Sequence, residues 1–494
     1  MKDPRMLIDG RLCEASSGAT FEHRNPYTEE ELRPFPDAGV EDMEAAIGAA
    51  RTAYDQTGWS DDVEFRARCI EQLHDAVHNH RDEFVDHLVN EIGCVRSLAE
   101  SAQLLGALEW LTTAIEYTRA HEFEFDAPEI EAVVNYAPGA PKPARRIVLD
   151  RPWGVVGALS AYNYPLAMIL GKLGPALGAG NTVVLKPSAQ APQTALLVAR
   201  LVAEETDIPA GVLNIVIGTS PDLGKALVGD PRVGMVAFTG SAAVGRSVGA
   251  VAAERFAKAV LELGGKSASI VLDDADALAA ARASVVRVCM NGGQGCTNLT
   301  RLLVPRSEYD AVLDVAAATC EEVVWGDPSD RATQLGPMID RRHQERVLGF
   351  VKRAVDGGAR LVGGSLEPPR EADHGYFVLP TVLADVSPDA EIAQEEVFGP
   401  VLTILPYDGG DDGAVELANN SHYGLGGAIF SGSDERGLEV ARRVYTGVLD
   451  VNGASCRGAD VPFGGCKDSG LGREGGLTGF QEYLETRMIG VPRA

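Results

Sequence analysis

The chain lacks any uninterrupted apolar run of roughly 20 residues, so the sequence offers no candidate membrane span. Its opening residues, Met1-Lys2-Asp3-Pro4-Arg5, carry no apolar core of the kind a secretory signal needs, and cytoplasmic residence is the expectation. Paired cysteines are also missing. The 8 cysteines (Cys13, Cys69, Cys94, Cys289, Cys296, Cys320, Cys456 and Cys466) are dispersed, and none stands in C-x-x-C spacing. That pattern excludes a disulfide framework and a structural zinc, and no metal site is expected. Positive charge is scarce: 44 Lys and Arg face 71 Asp and Glu, for a net charge of −27. Such a surface repels nucleic acid and anionic membranes, because affinity for either comes from Lys and Arg meeting phosphates. Any anionic ligand must therefore find a locally neutral or basic site built on backbone N–H groups. Internal repeats, low-complexity linkers and the G-x-G-x-x-G fingerprint are absent as well.

What is present is length and apolar content. At 494 residues the chain exceeds what one core normally organises, so two or three domains are expected. With 45% hydrophobic residues and 55 glycines it can fill large cores and still turn tightly. Helix-period apolar positions mark 40–57, 63–89 and 98–120. Strands are expected at 129–136 and 146–150, forming a two-stranded ribbon suited to pairing with another subunit. From Gly154 onward, short β-rich runs alternate with helices: strands at 155–160, 182–185, 212–217, 235–239 and 259–263, helices at 193–204 and 244–256. That texture means an α/β fold with mainly parallel sheet covered on both faces. A second α/β unit starts after Ser267, with a strand at 269–272 and a helix at 276–288, and runs to about residue 450. The glycine-rich segment 462–473 reads as an ordered loop without regular structure, and 479–486 as a closing helix followed by a short apolar tail.

Six segments could carry chemistry. Cys296 lies in Asn291-Gly-Gly-Gln-Gly-Cys-Thr297, where glycines leave a sulfur unshielded and let N–H groups approach a reacting atom. The competing reading is a buried structural cysteine, which is preferred for Cys69, Cys94, Cys289 and Cys320. Glu262 ends an apolar strand, at the sheet edge where α/β proteins bind ligands, and partial burial would make it a general base. It could equally be a solvated strand-end acid. Asn163 follows a strand in Ala161-Tyr-Asn-Tyr-Pro165 and could stabilise an oxyanion without adding charge, or simply make a turn. Lys186 in Leu185-Lys-Pro-Ser188 could donate to ribose or phosphate, or be a surface cation. Phe238-Thr-Gly-Ser-Ala-Ala-Val-Gly245 is a strand, a glycine turn at Gly240 and a helix start at which N–H groups favour a pyrophosphate. Glu395-Glu396-Val-Phe-Gly-Pro400 could offer a carboxylate to a ribose diol.

Taken together, Asn163-Tyr-Pro165, Lys186-Pro-Ser188, Phe238-Thr-Gly-Ser241, Glu262-Leu-Gly-Gly-Lys266, Gly293-Gln-Gly-Cys296, Glu396-Val-Phe-Gly-Pro400 and Pro462-Phe-Gly-Gly465 closely resemble the aldehyde dehydrogenase superfamily. The resemblance covers nearly the whole chain. It implies that Cys296 is the nucleophile, Glu262 the general base, Asn163 an oxyanion donor beside the Cys296 N–H, and Lys172 a lysine near the catalytic centre. It further implies cofactor contacts from Lys186, Ser188, Ala189, Phe238, Gly240, Ser241, Gly245, Leu263, Glu396 and Phe398. Tyr164, Gly171, Gly295, Thr297 and Arg457 would line the substrate tunnel.

The reaction so implied oxidises a small-molecule aldehyde to an acid through a Cys296 thiohemiacetal and thioester, with water as the acyl acceptor. Retention of Glu262 separates this chain from acylating relatives, which typically lack that base. A coenzyme A-acylating semialdehyde dehydrogenase, a thiol esterase and a non-catalytic member of the fold are the alternatives. The implied architecture is a Rossmann-type cofactor domain (1–128 and 153–264), an α/β catalytic domain (265–461) and an oligomerisation arm (129–152 and 474–494), with 462–473 connecting them. A homodimer or homotetramer would follow. Ala189 stands where NAD-specific members often place a glutamate, so NAD is expected with NADP open. Gly171, where many members carry tryptophan, suggests a widened tunnel and a bulky aliphatic, terpenoid or aromatic aldehyde. Arg457, replacing a tunnel aromatic, could instead anchor the carboxylate of a semialdehyde or point to solvent.

Overall fold

The computed structural model describes residues 4–128 and 144–492. Two sheets dominate it. The first has eight strands, in the order Arg11–Cys13, Met6–Ile8, Leu213–Ile215, Thr182–Lys186, Val155–Leu159, Val233–Thr239, Lys258–Glu262 and Gly470–Leu471. Its five central strands are parallel, and antiparallel pairs close both edges. Val155–Leu159 is buried along its whole length, as a strand covered on both faces must be. Successive side chains point to opposite faces of a sheet. Accordingly Val155 and Leu159 join the core under the helices Val40–Gln56, Pro221–Gly229 and Ala242–Glu254, whereas Val156 and Ala158 join the core under Val63–Asn79, Leu105–Ala120, Pro165–Gly178 and Pro192–Glu205.

The second sheet has seven strands, in the order Arg360–Gly363, Thr381–Ala384, Val401–Tyr407, Leu299–Pro305, Ser267–Val271, Gly426–Phe430 and Val448–Val451. Only its Arg360–Gly363 edge is antiparallel. Residues 263–266 alone separate the last central strand of the first sheet from Ser267–Val271 of the second, so the carboxyl edge of one sheet faces the loops of the other. No helix among the described residues is long and apolar enough to cross a membrane.

Several expectations need correction. The helix expected over 63–89 breaks at His80 into Val63–Asn79 and Arg81–Ile92. The segment 98–120 is interrupted by a wider turn, Ala99–Gln103, before Leu105–Ala120 resumes; that turn buries Gln103. The closing helix stops at Gln481, and Leu484–Pro492 is a strand paired residue by residue with Ala144–Pro152. Nine residues of ladder outweigh a weak local helical pattern. With Glu124–Asp126 these strands make a third, antiparallel sheet. The 129–136 strand lies outside the described residues.

The 462–473 loop is also not free of regular structure. Cys466–Lys467 pairs with Tyr423–Gly424, and Gly470–Leu471 pairs with Leu261 and Glu262. Glycine makes the second pairing possible: Gly470 has φ +135°, and a Cβ there would fall 1.9 Å from the Leu261 carbonyl oxygen.

Candidate active site

Glu262 ends the strand Lys258–Glu262 and is 3% exposed. Its carboxyl shares a cavity with the Cys296 thiol, close enough for each to shift the other's ionisation, and its Oε1 has no hydrogen-bond partner among the described residues. Burial first, then the Glu474 carboxylate, pushes the Glu262 carboxyl well above its ordinary 4.5; Lys172 pulls the other way. Burial, then Glu262 and Glu396, pushes the Cys296 thiol well above 9.0, against a smaller opposite pull from Arg457. Both shifts favour the uncharged form, so each group must give up its proton before it acts as base or nucleophile. Lys172 lies below them. Its Nζ donates to Thr239 Oγ1 at 2.7 Å and to Glu474, and it borders no cavity itself.

Local sequence explains the cysteine loop. Asn291, Gly292 and Gly293 have φ of +52°, +66° and +75°, a run that only glycine and a few polar residues tolerate. At Gly293 a Cβ would sit 2.1 Å from the Gly399 carbonyl carbon, so the loop packs backbone to backbone on Phe398-Gly-Pro400. Gln294 pins the loop, accepting at Oε1 from the Ile339 N–H at 3.0 Å and from the Tyr162 hydroxyl at 3.2 Å. Asn163 is 2% exposed, and its Nδ2 donates to the Gln294 carbonyl at 2.9 Å. The Asn163 carbonyl accepts from Gln103 Nε2 and Asn291 Nδ2, both at 2.8 Å.

Glu262, Cys296 and Asn163 line one cavity of about 560 Å³. Lys186, Ser188, Phe238, Gly240, Ser241, Leu263, Glu396 and Phe398 line it too. The helix Ala242–Glu254 starts here, capped by Ser241, whose Oγ accepts from the Val244 N–H. Its remaining N–H groups give the anion-favouring end expected from sequence. Glu396 Oε1 accepts from the Gly265 N–H at 3.1 Å, and burial pushes its carboxyl up to about 7. Phe398 has φ +62°, rare for a bulky side chain, and its carbonyl is 2.7 Å from His343 Nε2. Burial lowers the Lys186 ammonium, with Asp37 opposing. Gly245 and Ala189 lie outside this lining; a Cβ at Gly245 would meet Leu263 Cδ2 at 2.3 Å, so that glycine serves helix-to-sheet packing.

A second cavity, about 690 Å³, is bordered by the two residues that flank the nucleophile, Gly295 and Thr297, with Tyr164 and Arg457. Gly171 does not border either cavity, and the widened tunnel inferred from it is not what this glycine provides. A Cβ at Gly171 would meet the Trp110 ring at 3.1 Å, and Gly174 and Gly178 similarly admit Ala114 and Thr118. Small residues at these spacings let Pro165–Gly178 press against Leu105–Ala120. Trp110 comes from another helix, where sequence could not place it.

Sequence reasoning also missed Glu474, Gln103, Asn291 and Gln294, whose roles arise only from contacts across the fold. Arg346 and His343 border the first cavity from the helix Arg341–Asp356, which reads in sequence as an ordinary polar helix.

A thiol and a base at the end of a long, largely apolar cleft with an anion-binding helix start define the site of a nucleophilic, nucleotide-dependent oxidoreductase. The sequence model of the aldehyde dehydrogenase family matches residues 13–489, and the chain belongs to that family. It is 38% identical over 492 residues to a 3-succinoylsemialdehyde-pyridine dehydrogenase of Pseudomonas sp., covering 99% of each chain. It is 35% identical to the 2-hydroxymuconic semialdehyde dehydrogenase of Pseudomonas sp. strain CF600, over 99% of this chain and 100% of that one. Among solved structures it resembles a Mycobacterium tuberculosis aldehyde dehydrogenase complexed with NAD+, with TM-score 0.92, 37% identity and coverage of 99% and 98%. The reaction class is the oxidation of an aldehyde to a carboxylic acid.

The buried Glu262 carboxyl makes a prediction about stability. Its folded pKa is raised, so the proton it holds stabilises the folded state most below the unfolded value of 4.5, and stability falls as pH rises through the folded pKa. Glu262→Gln removes that dependence. Its melting temperature relative to the parent should climb between about pH 5 and pH 9. A constant difference across that range would mean the carboxyl is not held neutral.

Proposed function

We propose that this chain oxidises an aldehyde with NAD and water through a thioester on Cys296. The apposition of Cys296 and Glu262 in one cavity is the observation that carries this reading. The donor set of that cavity fits a dinucleotide: a half-buried lysine, a capped helix start and a carboxylate held against Gly264, where a Cβ would lie 2.5 Å from Glu396 Oε2. NAD is also what the M. tuberculosis relative holds. Bound there, NAD accepts the hydride. Lys186 and Ser188 would hold the adenosine ribose, Ser241 and the adjacent N–H groups the pyrophosphate, and Glu396 and Phe398 the nicotinamide ribose.

Once Glu262 has given its proton to solvent, its carboxylate takes the Cys296 proton and Sγ adds to the aldehyde carbon. The resulting oxyanion is held by the Cys296 N–H and by the Asn163 Nδ2 hydrogen not committed to Gln294. Collapse re-forms the carbonyl, releases the hydride and leaves a thioester. Glu262 releases the Cys296 proton to solvent and then takes one from water, whose oxygen adds to the thioester carbon; the C–S bond breaks to give the acid, and the proton passes from Glu262 to the Cys296 sulfur. Lys172 steadies Glu262 and Glu474 from below. A coenzyme A acceptor is the second reading, but a buried base with a free oxygen beside the sulfur serves water. A dimer or tetramer is proposed through the third sheet, in which Leu484–Pro492 is an edge strand among the described residues.

Cys296→Ser should abolish aldehyde-dependent NADH formation while leaving NAD binding intact. Residual turnover above about 1% of the parent would remove the sulfur from its role. Glu262→Gln should keep a burst of about one NADH per site and then stall at the thioester; equal loss of burst and turnover would reject deacylation as its main task. Asn163→Ala should lower kcat by about a hundredfold or more, the typical cost of one oxyanion donor at 2.7–4 kcal/mol. A loss below fivefold would assign the oxyanion to other donors.

A further inference from the structure

The second cavity carries charge that the reaction itself does not use. One wall is apolar: Ala279, Ala283, Val286 and Met290 follow at helical spacing on and just past Ala277–Val288. Arg287, from the same helix, and Arg457, from the segment after Val448–Val451, bring charge to the lining. Between these two guanidiniums lies one carboxylate. Asp450 Oδ2 accepts from Arg287 Nη2 at 3.4 Å and faces Arg457 Nη2 at 3.7 Å. Asp450 Oδ1 is occupied elsewhere, by the Cys456 N–H at 3.1 Å and its thiol at 3.3 Å. The Asp450 side chain is 6% exposed, whereas the two arginines are 33% and 31% exposed. The acid is therefore spent on holding the arginines, and their outer N–H groups open on the cavity. Arg282, also on the lining, is matched by Glu322.

Two guanidiniums against one carboxylate leave a single uncompensated positive charge, on a protein whose net charge is −27. A net negative surface repels an anion at long range, so a locally positive site is where one can be held. The charge also lies near the chemistry, since the Tyr164 hydroxyl on the same cavity is within electrostatic reach of Cys296, Arg457 and Arg287.

We infer that Arg287 and Arg457, held by Asp450, form an anion subsite, and that the preferred substrate is an aldehyde bearing a carboxylate at the end opposite its carbonyl. Its middle is apolar, to suit the alanine, valine and methionine wall. A guanidinium fork matches a carboxylate in plane and spacing, which a lysine would not. Arg287 and Asp450 thereby become specificity-determining residues. The inference rests on the dehydrogenase reading above and replaces the bulky neutral aldehyde expected from Gly171.

The test uses the full-length protein with NAD and two aldehydes of equal size, 4-formylbenzoate and 4-formylbenzamide. The carboxylate should be preferred in kcat/KM by about tenfold or more, mainly through KM, as a charge-assisted contact implies. Arg457→Gln should reduce kcat/KM for the carboxylate by about 10- to 100-fold and for the amide by much less, so that the ratio approaches one; Arg457→Lys should recover part of it. Arg287→Gln should act in the same direction, and if it fails to fold, the Arg457 pair alone decides. Equal efficiency of the parent on both aldehydes, or equal losses on both in Arg457→Gln, overturns the subsite. NADH formation from neither aldehyde overturns the dehydrogenase reading instead. In that case protection of Cys296 from iodoacetamide by terephthalate, lost in Arg457→Gln, still reports the subsite, and no protection of the parent overturns it.

Discussion

A carboxyl group pressed against a thiol, away from water and with one oxygen unpartnered, is costly to fold around, and much of this structure is arranged to keep it there. Glu262 stays where it is because its strand is locked on both sides. Thr239 pairs with it in parallel register, and Gly470 pairs with it from the far end of the chain. Beyond it the backbone has no room for side chains: a Cβ at Gly265 would lie 2.5 Å from the Cys296 carbonyl oxygen. The Gly264-Gly265 pair is thus a junction at which the first sheet meets the nucleophile loop through backbone, with the Glu396 carboxylate packed against it. Such a contact transmits position better than side-chain packing does, because no rotamer can absorb an error.

The same constraint accounts for the buried cation below. Lys172 is 1% exposed and would be prohibitive alone, but Glu474 and Thr239 meet its ammonium. Glu474 arrives on a chain segment whose N–H and carbonyl both pair with Phe463. The C-terminal hundred or so residues are therefore part of the site's electrostatics as well as its walls. Two carboxylates and one ammonium in a closed space favour the protonated state of the more deeply buried acid, which is the state from which a general base can be recruited by approaching substrate or water.

Much of the architecture was legible in sequence because it follows from local rules. Fully apolar five-residue runs such as Val155–Leu159, and prolines opening Pro165–Gly178 and Pro192–Glu205, specify parallel strands and helix starts without long-range information. The nucleophile loop announced itself through its glycines. What failed were features decided by partners distant in sequence. The strand Leu484–Pro492 exists because Ala144–Pro152 lies beside it, and the break before Leu105 serves Gln103, whose amide must reach the Asn163 carbonyl. Gly171 misled for the same reason: a missing side chain in one helix says nothing about which ring from another helix occupies the space. Arg457 could be noticed as a single departure, whereas Arg287 and Asp450 gain meaning only once the fold brings all three together.

The two cavities divide the proposed reaction between them. Cys296 and Glu262 both border the cleft assigned to NAD, while the residues on either side of the cysteine border the arginine-bearing cavity. An aldehyde entering from the second side presents its carbonyl carbon to the sulfur without crossing the cofactor. Water activated by Glu262 would approach from the first side, which Glu396 and Phe398, proposed to hold the nicotinamide ribose, also line. Oxidant and water would therefore use the same space, and hydrolysis would follow hydride transfer. An anion held by Arg287 and Arg457 would keep the acyl group in place through that interval, so the subsite would act on the lifetime of the thioester as well as on the choice of substrate. On this reading one side of the sulfur would serve oxidant and water in turn, and the other would serve the substrate.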